Sequence, residues 1–202
     1  MHLVCLDLEG VLIPEIWIAF SEATGISELR ITTRDEPDYD KLMRFRIDIL
    51  KKNGLKLIDI QRITGSMEVL PGAVDFIQSL RERTQMIILS DTFEEFVRPF
   101  LPKLNFPTLF CNRLETDSEG FVSKCVLRQQ NGKKAAVTAL KNINLKVFAA
   151  GDSYNDLAMI EEADDGCLFR APEQIKNSCA HLSCVGTYGE LLSKIEQFLL
   201  KA

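Results

Sequence analysis

Near its start the chain runs Leu3-Val4-Cys5-Leu6-Asp7-Leu8-Glu9-Gly10, an aliphatic stretch that ends on two carboxylates. An apolar run closed by a glycine reads as a buried strand. In extended chain the alternate spacing of Asp7 and Glu9 puts both acids on one side. A buried strand that delivers two acids to one place costs free energy unless something cationic meets them there. The alternative is an ordinary acidic pair facing solvent at a strand end.

The rest of the chain supplies alternating helices and strands. Pro14-Glu15 opens a helix through Ala23, with an apolar stripe of Ile16, Trp17, Phe20 and Ala23, and Gly25 ends it. A polar loop over 27–38 follows, then a second helix from Tyr39 to Lys52 that stops at Asn53-Gly54. A third helix spans 57–64 and is expected to end at Gly65. After Pro71-Gly72 come a helix over 73–83, a strand over 85–89, and Ser90-Asp91-Thr92 opening a helix over 93–103. Residues 106–111 read as a further strand, and 113–116 with 121–127 as a hairpin about Asp117-Ser118-Glu119-Gly120. Asn131-Gly132 introduces Lys133, Lys134 and a helix to Lys141. A strand over 146–150 leads to Gly151-Asp152-Ser153-Tyr154-Asn155-Asp156 and a helix through Ala163. Short strands near 166–169 and 182–185, a helix near Glu173 and a terminal helix from Tyr188 complete the chain.

This alternation predicts an α/β fold, a Rossmann-like parallel sheet with helices on both faces. A small helical cap at 14–66, with no strand of its own, is inserted after the first strand. The expected domains are a core of 1–13 with 67–202, and the cap. Ligands of such sheets gather beyond the carboxyl ends of the strands. Asp7, Glu9, Ser90, Asp91, Asp152, Asn155 and Asp156 all fall at that edge.

Charge and cysteine usage narrow the function. The 202 residues carry a formal net charge of −5, which gives no basic field for nucleic acid. The cysteines at 5, 111, 125, 167, 179 and 184 form no C-x-x-C pair and no zinc-type cluster. No signal peptide and no membrane-length apolar run is seen, so a soluble, cytoplasmic protein with reduced thiols is expected.

Asp7, Glu9, Asp152 and Asp156 at one sheet edge cannot all stay ionised without a cation. An all-oxygen donor set points to Mg²⁺ rather than zinc. Lys133 or Lys134 offers a further positive charge, and Ser90 beside a helix N-terminus offers an oxyanion cradle. The combination favours phosphoryl transfer with Asp7 as nucleophile and Glu9 as acid and base. On the second helix, Tyr39, Leu42, Met43, Ile47 and Leu50 define a buried face, and Arg46 projects from the middle of it. Arginine is rarely buried without a partner, so Arg46 either snorkels out past its neighbours or pairs with a structural acid, or it faces a pocket whose ligand carries an anionic group.

Asp7-Leu8-Glu9-Gly10-Val11, Leu89-Ser90-Asp91-Thr92, Lys133 and Gly151-Asp152-Ser153-Tyr154-Asn155-Asp156 resemble the four ordered motifs of the haloacid dehalogenase superfamily. The helical insertion, Glu15 and the Arg44–Arg46 pair resemble its phosphoserine phosphatase branch. Pro14-Glu15-Ile16-Trp17, Thr32-Thr33-Arg34-Asp35 and Pro37-Asp38-Tyr39-Asp40 resemble the subfamily that joins phosphoserine phosphatase to homoserine phosphotransferase activity.

The resemblance implies that Asp7 is the phosphorylated nucleophile and Glu9 the acid/base residue, with the Glu9 backbone carbonyl on Mg²⁺. It implies Asp152 as a direct ligand of the metal and Asp156 as an outer one. Ser90 and Lys133 would hold the phosphoryl group, and Asp91 and Asn155 would line the substrate side. Arg46 would take the substrate carboxylate and Glu15 its ammonium; a plain helix-start role for Glu15 is the alternative. The implied reaction is phosphoserine hydrolysis, with homoserine as a further acceptor, and no nucleic acid or membrane partner. Glu9 departs from the aspartate of the broader family, and its extra methylene makes water a less certain acceptor. A phosphatase for another small metabolite and a phospho-aspartate signalling module are the competing readings. The 113–127 hairpin is left open between packing near the site and forming a homodimer.

Overall fold

The computed structural model describes residues 1–32, 35, 36 and 38–201. Its centre is the strand β1 (His2–Leu6), whose Val4, Cys5 and Leu6 have no exposed surface. Parallel neighbours flank it on both sides: β2 (Gln85–Phe93) pairs Cys5 with Ile87, and β5 (Lys146–Gly151) pairs Cys5 with Ala149. With β3 (Leu109–Thr116), β4 (Val122–Val126), β6 (Asp165–Phe169) and β7 (Cys184–Val185), the sheet order is β4-β3-β2-β1-β5-β6-β7. All pairings are parallel except β3 with β4.

Alternate residues of β1 enter opposite cores. Val4 and Leu6 join α4 (Ala73–Arg81) and α9 (Tyr188–Leu199), whereas Leu3 and Cys5 join α6 (Gly132–Asn142), α7 (Tyr154–Glu162) and α8 (Glu173–Ser178). A strand covered on both faces must be apolar where it is buried, and β1 is apolar from Leu3 to Leu6. The chain turns from β2 on one side of β1 to β5 on the other, and a crevice opens where strand order reverses in this way.

Between β1 and β2 lie α1 (Ile16–Thr24), a 3₁₀ turn (Ser27–Arg30), α2 (Tyr39–Lys52) and α3 (Leu57–Ser66). Among the described residues this segment holds no strand. Its Trp17, Phe20, Leu29, Met43, Leu50 and Ile60 share one continuous core with the sheet. The hairpin β3–β4 packs beside it: α2 meets β4, Leu57 donates to the Gly120 carbonyl at 3.0 Å, and the Lys56 ammonium lies over Phe121. Thr33, Arg34 and Pro37, quoted for the resemblance, lie outside the described residues.

Four expectations need correction. The helix expected over 93–103 is only α5, Glu94–Val97, and Ser90-Asp91-Thr92, expected to open it, belong to β2, which runs on to Phe93. Phe93 and Phe96 are fully buried and hold the extended path, and Pro99 stops helix growth. The strand at 106–111 and the first hairpin strand are one element, β3, continuous through a buried Asn112. Gly65 lies inside α3, without the left-handed backbone of a terminator, and Ser66 closes the helix by donating to the Ile63 carbonyl. Finally, α1 begins at Ile16 rather than Pro14, for a reason found in the site itself.

Candidate active site

Asp7 continues β1 by one residue, its N–H donating to the Ala150 carbonyl at 2.9 Å. This puts its carboxylate beside the loop after β5. There, Asp156 Oδ2 accepts from the N–H groups of Asp152 and Ser153 and from the Ser153 hydroxyl, each at 3.0 Å, as the capping box of α7. Lys133, in the first turn of α6, donates to Asp156 Oδ1 at 2.6 Å and to Asp7 Oδ1 at 2.8 Å. Its side chain is 5% exposed, whereas that of Lys134 is 52% exposed and lies 3.7 Å from Glu162. The resemblance assigned the phosphoryl-facing role to Lys133, and the buried lysine at the acids is the same residue.

Burial and the neighbouring Asp156 and Asp152 push the Asp7 carboxyl well above the usual carboxylate range, against the pull of Lys133. Burial alone lowers a lysine, but Asp156 and Asp7 overturn that and hold Lys133 above its ordinary value. Ligand atoms of Asp7, Asp152 and Asp156 lie within 4.8 Å of one another. Gly10, at φ +76°, packs directly against this cluster: a side chain there would collide with the Asp152 carboxylate. Three carboxylates against one ammonium suit a divalent cation, and an oxygen-only donor set fits Mg²⁺.

The Glu9 carboxyl does not join that cluster. Its Oε2 accepts from the Ile16 N–H at 2.9 Å, which starts α1 at Ile16. Burial and the charge of Glu15 raise the Glu9 carboxyl to about 7. The expected place of Glu9 in a metal site rests on its backbone carbonyl. Glu15, at the N-cap position of α1, makes no side-chain capping bond. It faces a cavity of about 680 Å³ instead.

Arg46 lines the same cavity. Its guanidinium lies 4.4 Å above the Trp17 ring, donates to the Ile31 carbonyl at 2.8 Å and contacts Met43 Sδ at 3.6 Å. Arg46 Nε has no acceptor among the described residues although the side chain is buried. Burial lowers its pKa to about 10, opposed by the nearby Glu9, Tyr39 and Glu15. The sequence anomaly on α2 is therefore a buried cation with donor capacity left over, beside two acids, on the cavity wall.

Ser90 owes its position to a bulge. Leu89 pairs with Phe110 and Phe93 with Asn112, so Ser90, Asp91 and Thr92 together oppose Cys111 alone. The extra residues leave the ladder and re-aim their side chains. The cradle at Ser90 is thus a bulge rather than a helix N-terminus. Asp91 Oδ2 accepts from Asn155 Nδ2 at 2.8 Å and lies 3.7 Å from Lys133 Nζ. Asp7, Glu9, Glu15, Arg46, Ser90, Asp91, Lys133, Asp152 and Asn155 all line the cavity, and Asp156 lies behind them.

Sequence reasoning missed Tyr39 and Asn112 as site residues. Both donate to the Asp91 carbonyl, at 3.1 and 2.9 Å, and both line the cavity. Tyr39 was hidden in the apolar stripe of α2. Asn112 carries a signal, a carboxamide inside an apolar run, at the boundary between the strands expected over 106–111 and 113–116.

The family model for haloacid dehalogenase-like hydrolases matches residues 1–164. Over 191 residues the chain is 52% identical to the phosphoserine phosphatase ThrH of Pseudomonas aeruginosa, covering 95% of this chain and 93% of that one. It is also 52% identical to a phosphoserine phosphatase of Pseudomonas syringae pv. tomato, covering 95% of this chain and 81% of that one. Among solved structures, a phospho-aspartyl intermediate analogue of phosphoserine phosphatase superposes with a TM-score of 0.78, over 96% of this chain and 98% of that one. Sequence identity there is 19%, and the likeness speaks for the fold.

Proposed function

The chain belongs to the haloacid dehalogenase-like hydrolases, and from that membership we propose that it hydrolyses phosphoserine through an aspartyl-phosphate on Asp7 and also passes the phosphoryl group to homoserine. The observation that carries the substrate is Arg46. A buried guanidinium with a spare N–H, beside the carboxylate of Glu15, matches the carboxylate and ammonium of an amino acid. In the same cavity, Ser90 and Lys133 match a phosphoryl group. The 52% identity to two phosphoserine phosphatases supports the same substrate.

In this reading the helical segment 14–66 is a cap over a core of 1–13 and 67–202. Asp7 Oδ attacks phosphorus as the ester P–O bond breaks, and Glu9 gives its proton to the departing serine oxygen. Glu9, now a carboxylate, takes a proton from water or from the homoserine hydroxyl as that oxygen attacks the aspartyl-phosphate. Phosphate or phosphohomoserine leaves, and the Asp7 carboxylate is restored. A carboxyl raised to about 7 suits both halves of this exchange. Lys133 holds the phosphoryl oxygens and balances Asp7. Asp7, Asp152 and the Glu9 carbonyl would hold Mg²⁺, with Asp156 behind. Bound there, the ion supplies electrostatic stabilisation of the phosphoryl oxygens. Transfer to an alcohol needs water partly excluded, and Trp17, Tyr39 and Arg46 roof the cavity for that purpose.

The test is ³¹P NMR of phosphoserine with the protein, Mg²⁺ and excess homoserine. Phosphate and phosphohomoserine should both grow as phosphoserine disappears. Absence of both products overturns the reading, and phosphate alone removes the transfer half.

A further inference from the structure

We infer that Tyr39 is a positioning residue for the Ser90–Thr92 bulge, acting on it from the helical segment across the cavity. The inference rests on the phosphoryl-holding role of Ser90 given above. In the bulge the β2–β3 ladder is interrupted between Leu89 and Phe93, so side-chain donors stand in for it at the Asp91 carbonyl. One is Asn112 Nδ2, at 2.9 Å, from β3 within the sheet. Its carboxamide oxygen is taken by the Arg128 N–H at 3.0 Å, which fixes which way Asn112 points. The other is the Tyr39 hydroxyl, at 3.1 Å, from the first residue of α2. Asp38 caps that helix by accepting from Lys41 N at 2.9 Å, so the start of α2 is itself fixed.

On the other edge of the same peptide, Thr92 N–H donates to Ser90 Oγ at 3.3 Å. The peptide between Asp91 and Thr92 is therefore engaged on both edges, and one of those bonds sets the place of Ser90 Oγ. With Oγ accepting from Thr92, the Ser90 proton is left to donate elsewhere, and Ser90 lines the cavity. If Tyr39 no longer donates, Asn112 alone restrains the carbonyl. The peptide then rocks, and Ser90 Oγ moves with it. Burial pushes the Tyr39 phenol further above its ordinary pKa, so it remains a donor throughout the neutral range.

Tyr39→Phe keeps the ring and removes only the donor. A single hydrogen bond converts to a roughly two- to tenfold change in rate. We expect kcat on phosphoserine to fall by about that factor, with KM within about twofold of wild type and Tm little changed. Amide exchange at Thr92 should quicken in the same variant, and this readout does not depend on the substrate. An unchanged Thr92 exchange rate overturns the inference, as does an unchanged kcat. A raised KM with unaltered kcat also overturns it, since Tyr39 would then contact substrate rather than position the bulge. Wild-type protein inert toward phosphoserine would sink the functional reading alone, and Thr92 exchange would still decide the role of Tyr39.

Discussion

Glu9 Oε2 accepts the N–H of Ile16 at 2.9 Å, so the candidate acid/base is held by the first helical residue of the segment that lends Trp17, Tyr39 and Arg46 to the cavity lining. Its extra methylene over aspartate is what spans that gap. Glu9→Asp withdraws the carboxyl by about one C–C bond, loses the helix contact and leaves the Ile16 N–H to another partner. Displacements near 1 Å at a reacting group can cost ~10²-fold, and a lost cap costs about 1 kcal/mol. The expected result is a fall in kcat of one to two orders of magnitude, with a changed ratio of phosphohomoserine to phosphate. Product ratios from ³¹P NMR check it, and unchanged kcat and ratio would remove Glu9 from the chemistry.

Much of this arrangement was legible because strand ends and their carboxylates are local features. Asp7, Asp152 and Asp156 followed from apolar runs that break onto acids, and the exact span of α2 followed from its period and its Asn53-Gly54 stop. The bulge at Ser90 was not legible, since Ser-Asp-Thr is also a good helix start and only the pairing of Phe93 with Asn112 decides between them. The separation of Glu9 from the other acids was hidden for a related reason. Two residues apart in an ideal strand lie on one side, but β1 ends at Leu6, and the chain beyond it turns through Gly10 at φ +76°. Tyr39 was visible as core and invisible as donor, because a hydroxyl that reaches 52 residues along the chain has no sequence period.

Arg46 should separate charge from shape. Arg46→Lys keeps a cation but loses the planar fork and the stacking over Trp17. A hydrogen bond to a charged group contributes about 1.5–3 kcal/mol, so KM for phosphoserine should rise roughly 10- to 100-fold while kcat falls less. Phosphate esters without a carboxylate should show no such penalty. Equal losses on both kinds of ester would deny Arg46 the carboxylate and leave it a structural residue.

Tyr188 pins the loop after β1 from the far end of the chain. Its hydroxyl donates to the Val11 carbonyl at 2.6 Å, and its ring stacks between Phe76 and Phe169, with centroids at 4.9 and 5.1 Å. The adjoining Leu12 carbonyl accepts from Leu70 N at 2.9 Å, so entry to and exit from the helical segment meet beside this contact. Tyr188→Phe should cost about 0.5–1.5 kcal/mol and lower kcat moderately through Gly10 and Glu9. Tyr188→Ala loses the stack as well and should cost about 3–5 kcal/mol. Urea unfolding of the two variants measures both; equal losses would mean the ring stack contributes nothing, and no loss in Tyr188→Phe would mean the hydroxyl contributes nothing.

The last expectation concerns protons and metal together. Because burial, Asp156 and Asp152 raise the Asp7 carboxyl in the folded protein, the folded state holds that proton more tightly than the unfolded chain does. The stability from this group is present below the ordinary aspartate pKa and is lost as pH rises through the raised folded value. Metal-free protein should therefore gain stability from Asp7→Asn, and gain more at pH 8 than at pH 5. Mg²⁺ competes with the same protons, so its stabilisation of wild type should also grow with pH. At about a hundredfold excess over Kd it should reach roughly 2.7 kcal/mol, or about 5–10 °C in Tm. In Asp7→Asn most of that response should vanish. Thermal melts with EDTA or Mg²⁺ at the two pH values read both signs. A Mg²⁺ response that is equal in the two proteins, or larger at pH 5, would place the ion somewhere other than beside Asp7.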